Sequence, residues 1–290
     1  YFTYGKYLEK VIGIDINRPT PAKSLADGID YKEMKTWRVY VIQFLNIAGL
    51  GRIFGAIMGA AYGPIAYLWI VLGCVFMGAA FDYTVGMLSV QNDGKSLNWI
   101  IGKYLGKNIA KVMVILLSWL LLAAGSSFVI GPAALLQNIT GWDFKIWLYI
   151  IFAYYMCATL LPIDKIIGKI YPFFGAILIL MAIFIIFMLI YNWYSGEVQL
   201  IELTPSTFKN YKSNANEYML IPMLFIVISC GAISGFHATQ SPMMARCIGN
   251  ESHGRKIFYG AMITEGIIAC IWATAAMALF NGPEGLNAAA

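Results

Sequence analysis

Charged side chains are scarce in this sequence of 290 residues. Asp, Glu, Lys and Arg make up 12% of it, and hydrophobic residues make up 60%, whereas charged residues alone form about a quarter of an ordinary soluble domain. Disordered chains need low hydrophobicity, and nucleic-acid-binding domains need a clustered basic face. The net charge of +5 comes instead from basic residues scattered between apolar runs. The composition therefore excludes a soluble domain, a disordered chain and a nucleic-acid-binding domain. It indicates an integral membrane protein.

Residues that build metal and disulfide sites are also few. No Cys-x-x-Cys pair occurs, and we interpret the five cysteines as small packing residues. They are Cys74, Cys157, Cys230, Cys247 and Cys270. The two histidines, His237 and His253, cannot build a zinc site by themselves. Gly-x-Ser-x-Gly and His-Glu-x-x-His patterns are missing. We therefore expect neither an enzyme nor a bound metal or organic cofactor.

Long apolar runs, by contrast, are abundant and have the length that crosses hydrocarbon as helix. We predict an all-α integral membrane protein, a multi-span helical bundle in which a segment at 1–38 precedes a transmembrane domain at 39–280. Seven spans are expected, at 39–60, 65–90, 112–136, 146–161, 172–193, 218–237 and 258–280. A trailing segment follows at 281–290. The chain opens at Tyr1 rather than at an initiator Met, and we expect it to be incomplete at both ends.

Basic residues predict the orientation of the spans. Sixteen of the 20 lie in the N-terminal segment and in alternate connections, three lie in the other connections, and Arg52 lies inside a span. Because short cytoplasmic loops carry an excess of Lys and Arg, the N-terminal segment is predicted to face the cytoplasm.

Two spans contain stretches that weaken a helix. Residues 47–55 hold three glycines and Arg52, and residues 229–237 hold two glycines and two serines. Each Gly costs a helix roughly 0.5–1 kcal/mol relative to Ala. The alternative interpretation is close packing, because Gly51, Gly55 and Gly59 follow the small-xxx-small pattern. The two stretches lie five spans apart, in the first and sixth spans, which is the arrangement of inverted-repeat transporters whose broken helices meet around substrate.

The predicted substrate site combines residues from both stretches. It comprises Gly49, Gly51, Arg52, Gly55, Ser234, Gly235, Phe236, Thr239 and Gln240. An arginine deep in a membrane is costly unless it faces a cavity or an acid, so we expect Arg52 to hold a substrate carboxylate. The alternative is a structural pair between Arg52 and either Asp82 or Glu265.

Three ionisable residues within spans are candidates for the path of a coupling ion, which could be a proton or sodium. They are His237, Asp82 and Glu265. His237 is a candidate because an unperturbed histidine has a pKa near neutrality. A structural histidine and carboxylates solvated in a vestibule are the alternatives.

Several motifs in these regions resemble the carbon starvation protein A family of bacterial inner-membrane carriers. The most specific is Ser-Gly-Phe-His-Ala-Thr-Gln-Ser-Pro-Met-Met-Ala-Arg at 234–246. The others are Pro21-Ala22, Asp27-Gly28, Asp30-Tyr31, Ile47-Ala48-Gly49, Asp93-Gly94-Lys95-Ser96-Leu97 and Leu160-Leu161-Pro162-Ile163-Asp164. The resemblance runs from about Pro21 to Phe280.

The resemblance implies a multi-pass carrier of the bacterial cytoplasmic membrane with a leucine-transporter-like inverted repeat. It also implies uptake of small peptides or pyruvate during carbon starvation, driven by protons, with further helices at both ends of the chain. The expected partners are therefore a small carboxylate or peptide substrate and the lipid bilayer, and no nucleic acid.

The sequence departs from the family pattern at three places. Ile42-Gln43-Phe44 stands where the family commonly has His-His-Phe, and Phe81 stands where it has a histidine before the acid at Asp82. Arg52 replaces a proline. The missing histidines weaken the expectation of a family-type proton path, and Arg52 could change the choice of substrate.

Two other functions remain open from the residues alone. A nutrient-sensing receptor could bind a carboxylate between helices without moving it across the membrane. A channel is less favoured, because the sequence shows no ring of charges and no filter motif.

Overall fold

The computed structural model describes residues 1–160, 163–212, 219–221, 224 and 235–289, and within these ranges all regular structure is helical. We number the α-helices in chain order. They are α1 (Tyr4–Ile12), α2 (Pro21–Ser24), α3 (Thr36–Ile47), α4 (Leu50–Ala60), α5 (Ile65–Leu72), α6 (Ala79–Gln91), α7 (Leu97–Tyr104), α8 (Lys107–Thr140), α9 (Phe144–Leu160), α10 (Ile163–Tyr194), α11 (Gly235–Ala245), α12 (Gly260–Leu279) and α13 (Pro283–Ala289). Two π-helical turns, Gly73–Gly78 and Arg255–Tyr259, and a 3-10 turn, Glu251–His253, lie between them.

Four continuous helical stretches are long and apolar enough to cross a membrane within the described residues. They are Ile65–Gln91, Lys107–Thr140, Phe173–Tyr194 and Glu251–Leu279, and a shorter apolar helix lies at Phe144–Cys157. These stretches confirm a helical membrane protein. Most of the predicted sixth span, 218–237, lies outside the described residues, and so do Cys230 and most of the Gly-rich stretch at 229–237.

The predicted first span consists of two helices rather than one. α3 ends at Ile47, Ala48 leaves the helical region with ψ 37°, Gly49 is extended with ψ −177°, and α4 begins at Leu50. The last carbonyls of α3 and the first N–H groups of α4 therefore lack partners within their own helices. The interruption precedes Gly51 and Gly55, which lie inside α4.

The second predicted span is continuous but locally widened. Residues Gly73–Gly78 form a π-helical turn between α5 and α6, and the hydroxyl of Tyr259 donates to the carbonyl of Val75 at 3.2 Å. Such turns leave backbone carbonyls without their usual helical partner. The Tyr259 hydroxyl therefore supplies a donor at the widened turn.

The buried centre of the bundle lies among α3, α4, α6, α11 and α12. α6 packs along α11, α12 packs against α3 and α4, and α10 lies against α3. Tyr83, Phe44 and Phe258 are fully buried there. α8 and α9 pair with each other at the periphery and are largely exposed.

One end of the bundle gathers three of the basic segments. The hydroxyl of Tyr31 donates to the carbonyl of Asp93 at 3.0 Å, and the backbone N–H of Asp15 donates to Glu251 at 2.8 Å. Arg18 lies 3.2 Å from the same carboxylate, whose side chain is fully buried. The N-terminal segment, the connection after α6 and the connection after α11 therefore lie at the same end, as the alternation of basic residues predicts.

The opposite end contains α13 within the predicted trailing segment. Leu286 is buried, and the side-chain amide of Asn287 donates to the carbonyls of Ala61 at 2.6 Å and Tyr211 at 3.0 Å. Residues 283–289 are thus helical and packed against the connection after α4.

α6 approaches the turn before α12 closely at Gly86, where an added Cβ would fall on the buried ring of Phe258. We expect Gly86→Ala to destabilise the protein by about 1–3 kcal/mol through overpacking. Gly125→Ala in α8 is the matched control, because no atom lies within 4 Å of its added Cβ. The measurement is the fraction of monodisperse protein that survives heating, read by size-exclusion chromatography. Equal survival of the two variants would contradict this packing.

Candidate functional site

Asp82 lies at the centre of a buried polar cluster in the membrane-spanning part of α6. Gln43 of α3 donates through Nε2 to both carboxylate oxygens, at 3.0 Å to Oδ1 and 2.8 Å to Oδ2. The hydroxyl of Ser241 on α11 donates to Oδ1. His237, also on α11, places Nδ1 3.4 Å from Oδ1. We call these four residues the Asp82 cluster, and all four are 0% exposed.

Local sequence explains why two of these side chains arrive together. His237 and Ser241 are four residues apart on α11, so they project from one face of the helix. Pro242 lies inside α11 and cannot donate a backbone hydrogen bond to Ala238. α11 packs along α6, which places the polar pair beside Asp82.

Burial makes this arrangement energetically demanding. Removing a carboxylate from water costs several kcal/mol, which partners recover only when the geometry satisfies its lone pairs. Asp82 has hydrogen-bond donors on α3 and on α11, so its charge can be accommodated without solvent. Ionisable residues placed in this way within a membrane usually mark an ion or substrate pathway.

Glu265 is a second buried carboxylate and lies on α12, beside the interruption of the first span. It is 1% exposed, and the thiol of Cys74 lies 3.8 Å from Oε2. Together with Ala48 and Ile53 on either side of the interruption, Glu265 lines a cavity of about 10 Å³. The structure thus places a membrane carboxylate next to the non-helical residues between α3 and α4.

A larger cavity of about 440 Å³ lies between α5, α10 and α12. Its lining is almost wholly apolar, with the thiols of Cys74 and Cys270 and the hydroxyl of Thr274 as the exceptions. This cavity offers no charged group for a carboxylate substrate. Among the described cysteines, none forms a disulfide.

The predicted substrate residues fall into two groups. Gly49, Gly51 and Gly55 lie at and after the interruption, where an added Cβ on Gly49 would meet the ring of Phe128. Gly235 begins α11, Thr239 is exposed, and Gln240 is 8% exposed. Ser234 and the side chains of Arg52 and Phe236 lie outside the described residues.

Of the three predicted ion-path residues, two are brought together and one stands apart. Asp82 and His237 share the Asp82 cluster, while Glu265 lies by the interruption. The alternative of a structural pair between Arg52 and either Asp82 or Glu265 stays a prediction, because the side chain of Arg52 lies outside the described residues.

Three of the sequence motifs meet outside the membrane-spanning helices. Backbone N–H groups of Tyr31, Ile29 and Asp30 donate to Asp27, and these bonds hold the pKa of its carboxyl below the ordinary value. Arg246 then stacks over the ring of Tyr31.

Gly94 completes this contact. Arg246 donates through Nε to the carbonyl of Gly94 at 2.9 Å. Gly94 has a φ of +69°, and an added Cβ would strike both Arg246 and Tyr31. The motifs at 27–31, 93–97 and 234–246 therefore share one hydrogen-bonded node at the basic end of the molecule.

A family model described as carbon starvation protein CstA matches this chain over residues 1–133 and 107–289. The chain belongs to the carbon starvation protein CstA family. This finding confirms the resemblance drawn from the motifs, and the two matched ranges together cover almost the whole chain.

The relatives include proteins with and without an assigned transport activity. An uncharacterized membrane protein of Haemophilus influenzae is 42% identical, and the alignment covers 99% of this chain and 90% of that protein. The peptide transporter CstA of Bacillus subtilis is 28% identical over 95% of this chain and 56% of its own length. The pyruvate/proton symporter BtsT of Escherichia coli is 26% identical over 97% of this chain and 48% of its own length.

The chain spans about half the length of these two named transporters. No solved structure gives a significant match. Family membership is therefore established by sequence, and the arrangement of the buried carboxylates comes from this structure alone.

Two members of the Asp82 cluster, Gln43 and Ser241, were not among the predicted site residues. Gln43 is polar within an apolar stretch and stands at a family histidine position. Ser241 follows His237 by four residues. The sequence shows both of these features, but neither feature identifies the acidic residue that Gln43 or Ser241 contacts.

Proposed function

We propose that this chain forms the core of a proton-coupled secondary active transporter of the bacterial cytoplasmic membrane. It takes up small peptides or pyruvate-like carboxylates when carbon is limiting, and its N-terminal segment 1–38 faces the cytoplasm. The observation that carries this proposal is the Asp82 cluster, a fully buried ionisable group held between three helices of a membrane bundle.

The interruption between α3 and α4 supports a binding role for the first span. The N-terminal end of α4 carries a partial positive charge, and the C-terminal end of α3 a partial negative charge. Non-helical backbone at membrane depth is tolerated where it is buried in protein or lines a cavity. In the proposed transporter the α4 end attracts a substrate carboxylate, and the break predicted from the sequence at 229–237 completes an inverted pair.

The names of the relatives favour transport over sensing. The relatives in Bacillus subtilis and Escherichia coli are named as a peptide transporter and a pyruvate/proton symporter. Both kinds of substrate carry a carboxylate, so the same helix end could receive either. A receptor would share the binding site but would not concentrate its ligand.

Reconstitution of the full-length protein into proteoliposomes tests the proposal. We expect labelled pyruvate or labelled dialanine to enter by counterflow, and to accumulate when the lumen is more alkaline than the medium. Protein-free liposomes and a protonophore are the controls. Binding of a probe without counterflow or accumulation would favour the receptor instead.

Arg52 supplies a second test, since it lies in the first turn of α4. We expect Arg52→Ala to raise the apparent KM roughly 10-fold or more, because a hydrogen bond to a charged group contributes about 1.5–3 kcal/mol. Arg52→Lys should have a smaller effect. Arg38→Ala is the matched control, because Arg38 is exposed and lies over the ring of Trp37. An unchanged KM in both Arg52 variants would remove its carboxylate role.

A further inference from the structure

The groups around Asp82 are hydrogen-bond donors to its carboxylate. A glutamine side-chain nitrogen can only donate, and Nε2 of Gln43 lies within bonding distance of both oxygens. Ser241 adds a third donor contact, on Oδ1.

Donors of this kind stabilise the charged form of a carboxyl group rather than the neutral one. A proton on Oδ2 would face the amide N–H of Gln43, and a proton on Oδ1 would displace the hydroxyl proton of Ser241. The environment of Asp82 therefore fits a group that stays ionised. A buried carboxylate stabilises a positive charge placed beside it, and Nδ1 of His237 lies 3.4 Å from Oδ1 of Asp82.

We propose that His237, and not Asp82, carries the coupling proton, and that Gln43 and Ser241 are positioning residues that keep Asp82 ionised as its fixed counter-ion. The inference rests on the proposed transport function and assigns separate roles within its ion path. Gln43 and Ser241 act through Asp82 and need not touch the substrate.

The proton step follows from the contact between the ring and the acid. Nδ1 of His237 faces Oδ1 of Asp82 at 3.4 Å, which is longer than an ordinary N–H···O hydrogen bond. A proton from the aqueous side adds to the ring and gives an imidazolium paired with the Asp82 carboxylate. Loss of one proton from the ring to the other side restores the neutral imidazole, so one proton crosses for each cycle.

Charged groups on the surrounding helices are engaged elsewhere. Arg38 of α3 lies over Trp37, and Lys103 of α7 donates to Asn92 at 2.6 Å. The basic residues of α8 are confined to its first turns, at Lys107 and Lys111. Asp82 of α6, which packs along α11, lies against His237 with 3.4 Å between Oδ1 and Nδ1.

The test uses full-length protein in proteoliposomes and whichever probe, labelled pyruvate or labelled dialanine, the wild type accumulates. We expect His237→Gln to abolish accumulation driven by a pH gradient while counterflow at equal pH persists. The matched control is His253→Gln, since His253 contacts Thr36 at 3.1 Å at the basic end of the molecule. That variant should accumulate the probe as the wild type does.

The positioning residues are tested through the pH at which uptake is half-maximal. Ser241→Ala and Gln43→Leu should each raise the pH of half-maximal uptake by about one unit, which is a tenfold change in proton concentration. With fewer donors the Asp82 carboxylate carries more negative charge towards His237 and therefore stabilises the protonated ring more strongly. Ser241→Thr keeps the hydroxyl and should restore the wild-type value. Asp82→Asn should move it to lower pH, because His237 loses its counter-ion.

Gradient-driven accumulation by His237→Gln, together with its loss in Asp82→Asn, would assign the proton to Asp82 and overturn the inference. If the wild type accumulates neither probe, the proposed function fails, and a ¹⁵N NMR titration of the histidines in bilayers decides the inference separately. The inference is supported if the His237 resonance titrates and its midpoint moves to higher pH in Ser241→Ala and to lower pH in Asp82→Asn. A His237 resonance unaffected by either substitution overturns it.

Discussion

The hydrogen bonding of one buried carboxylate organises the centre of this molecule. Asp82 cannot be hydrated where it lies, so its charge must be compensated by protein groups. Those groups come from two different helices, with Gln43 on α3 and His237 and Ser241 on α11. The side chains that compensate this charge therefore connect α3, α6 and α11 at one point. The ionisation of Asp82 depends in turn on how these three helices pack.

α11 is also held at its far end, outside the membrane-spanning part. Arg246 follows the helix directly and binds the connection after α6 at Gly94, while Tyr31 of the N-terminal segment stacks on its guanidinium. A movement of α11 relative to α6 would therefore disturb both the Asp82 cluster and this node. Three of the motifs that resemble the family, at 27–31, 93–97 and 234–246, meet at this node, and the third also supplies His237 and Ser241 to the Asp82 cluster.

Apolar length predicted most of the helices, because a chain with so little charge can satisfy its backbone in a membrane only by helix formation. The interruption of the first span was expected within residues 47–55 and lies at Ala48 and Gly49. The composition of a Gly-rich stretch indicates that a helix is weak there, whereas the residue at which it breaks depends on packing. The corresponding stretch in the sixth span lies outside the described residues, so the inverted pair stays a prediction.

The acids and the histidine of the ion path could be selected from sequence, because ionisable residues in apolar runs are conspicuous. The way these residues group in space could not be predicted from the sequence. Asp82 and Glu265 look alike in the sequence, yet the first is surrounded by donors and the second lies beside a thiol and a small cavity at the helix interruption. The packing of the whole bundle determines which face of α6 contacts α11. That packing brings Gln43 and Ser241 to Asp82.

The central claim is that the Asp82 carboxylate is held by donors from α3 and α11 within the membrane. Solid-state NMR of the protein in lipid bilayers, with ¹⁵N in glutamine side chains and ¹³C in aspartate carboxyl groups, measures this contact directly. The structure predicts a measurable through-space dipolar coupling between Nε2 of Gln43 and the carboxyl carbon of Asp82, because Nε2 lies 3.0 and 2.8 Å from the two carboxylate oxygens. The coupling should disappear in Gln43→Leu. A spectrum without any glutamine-to-aspartate coupling would contradict the account.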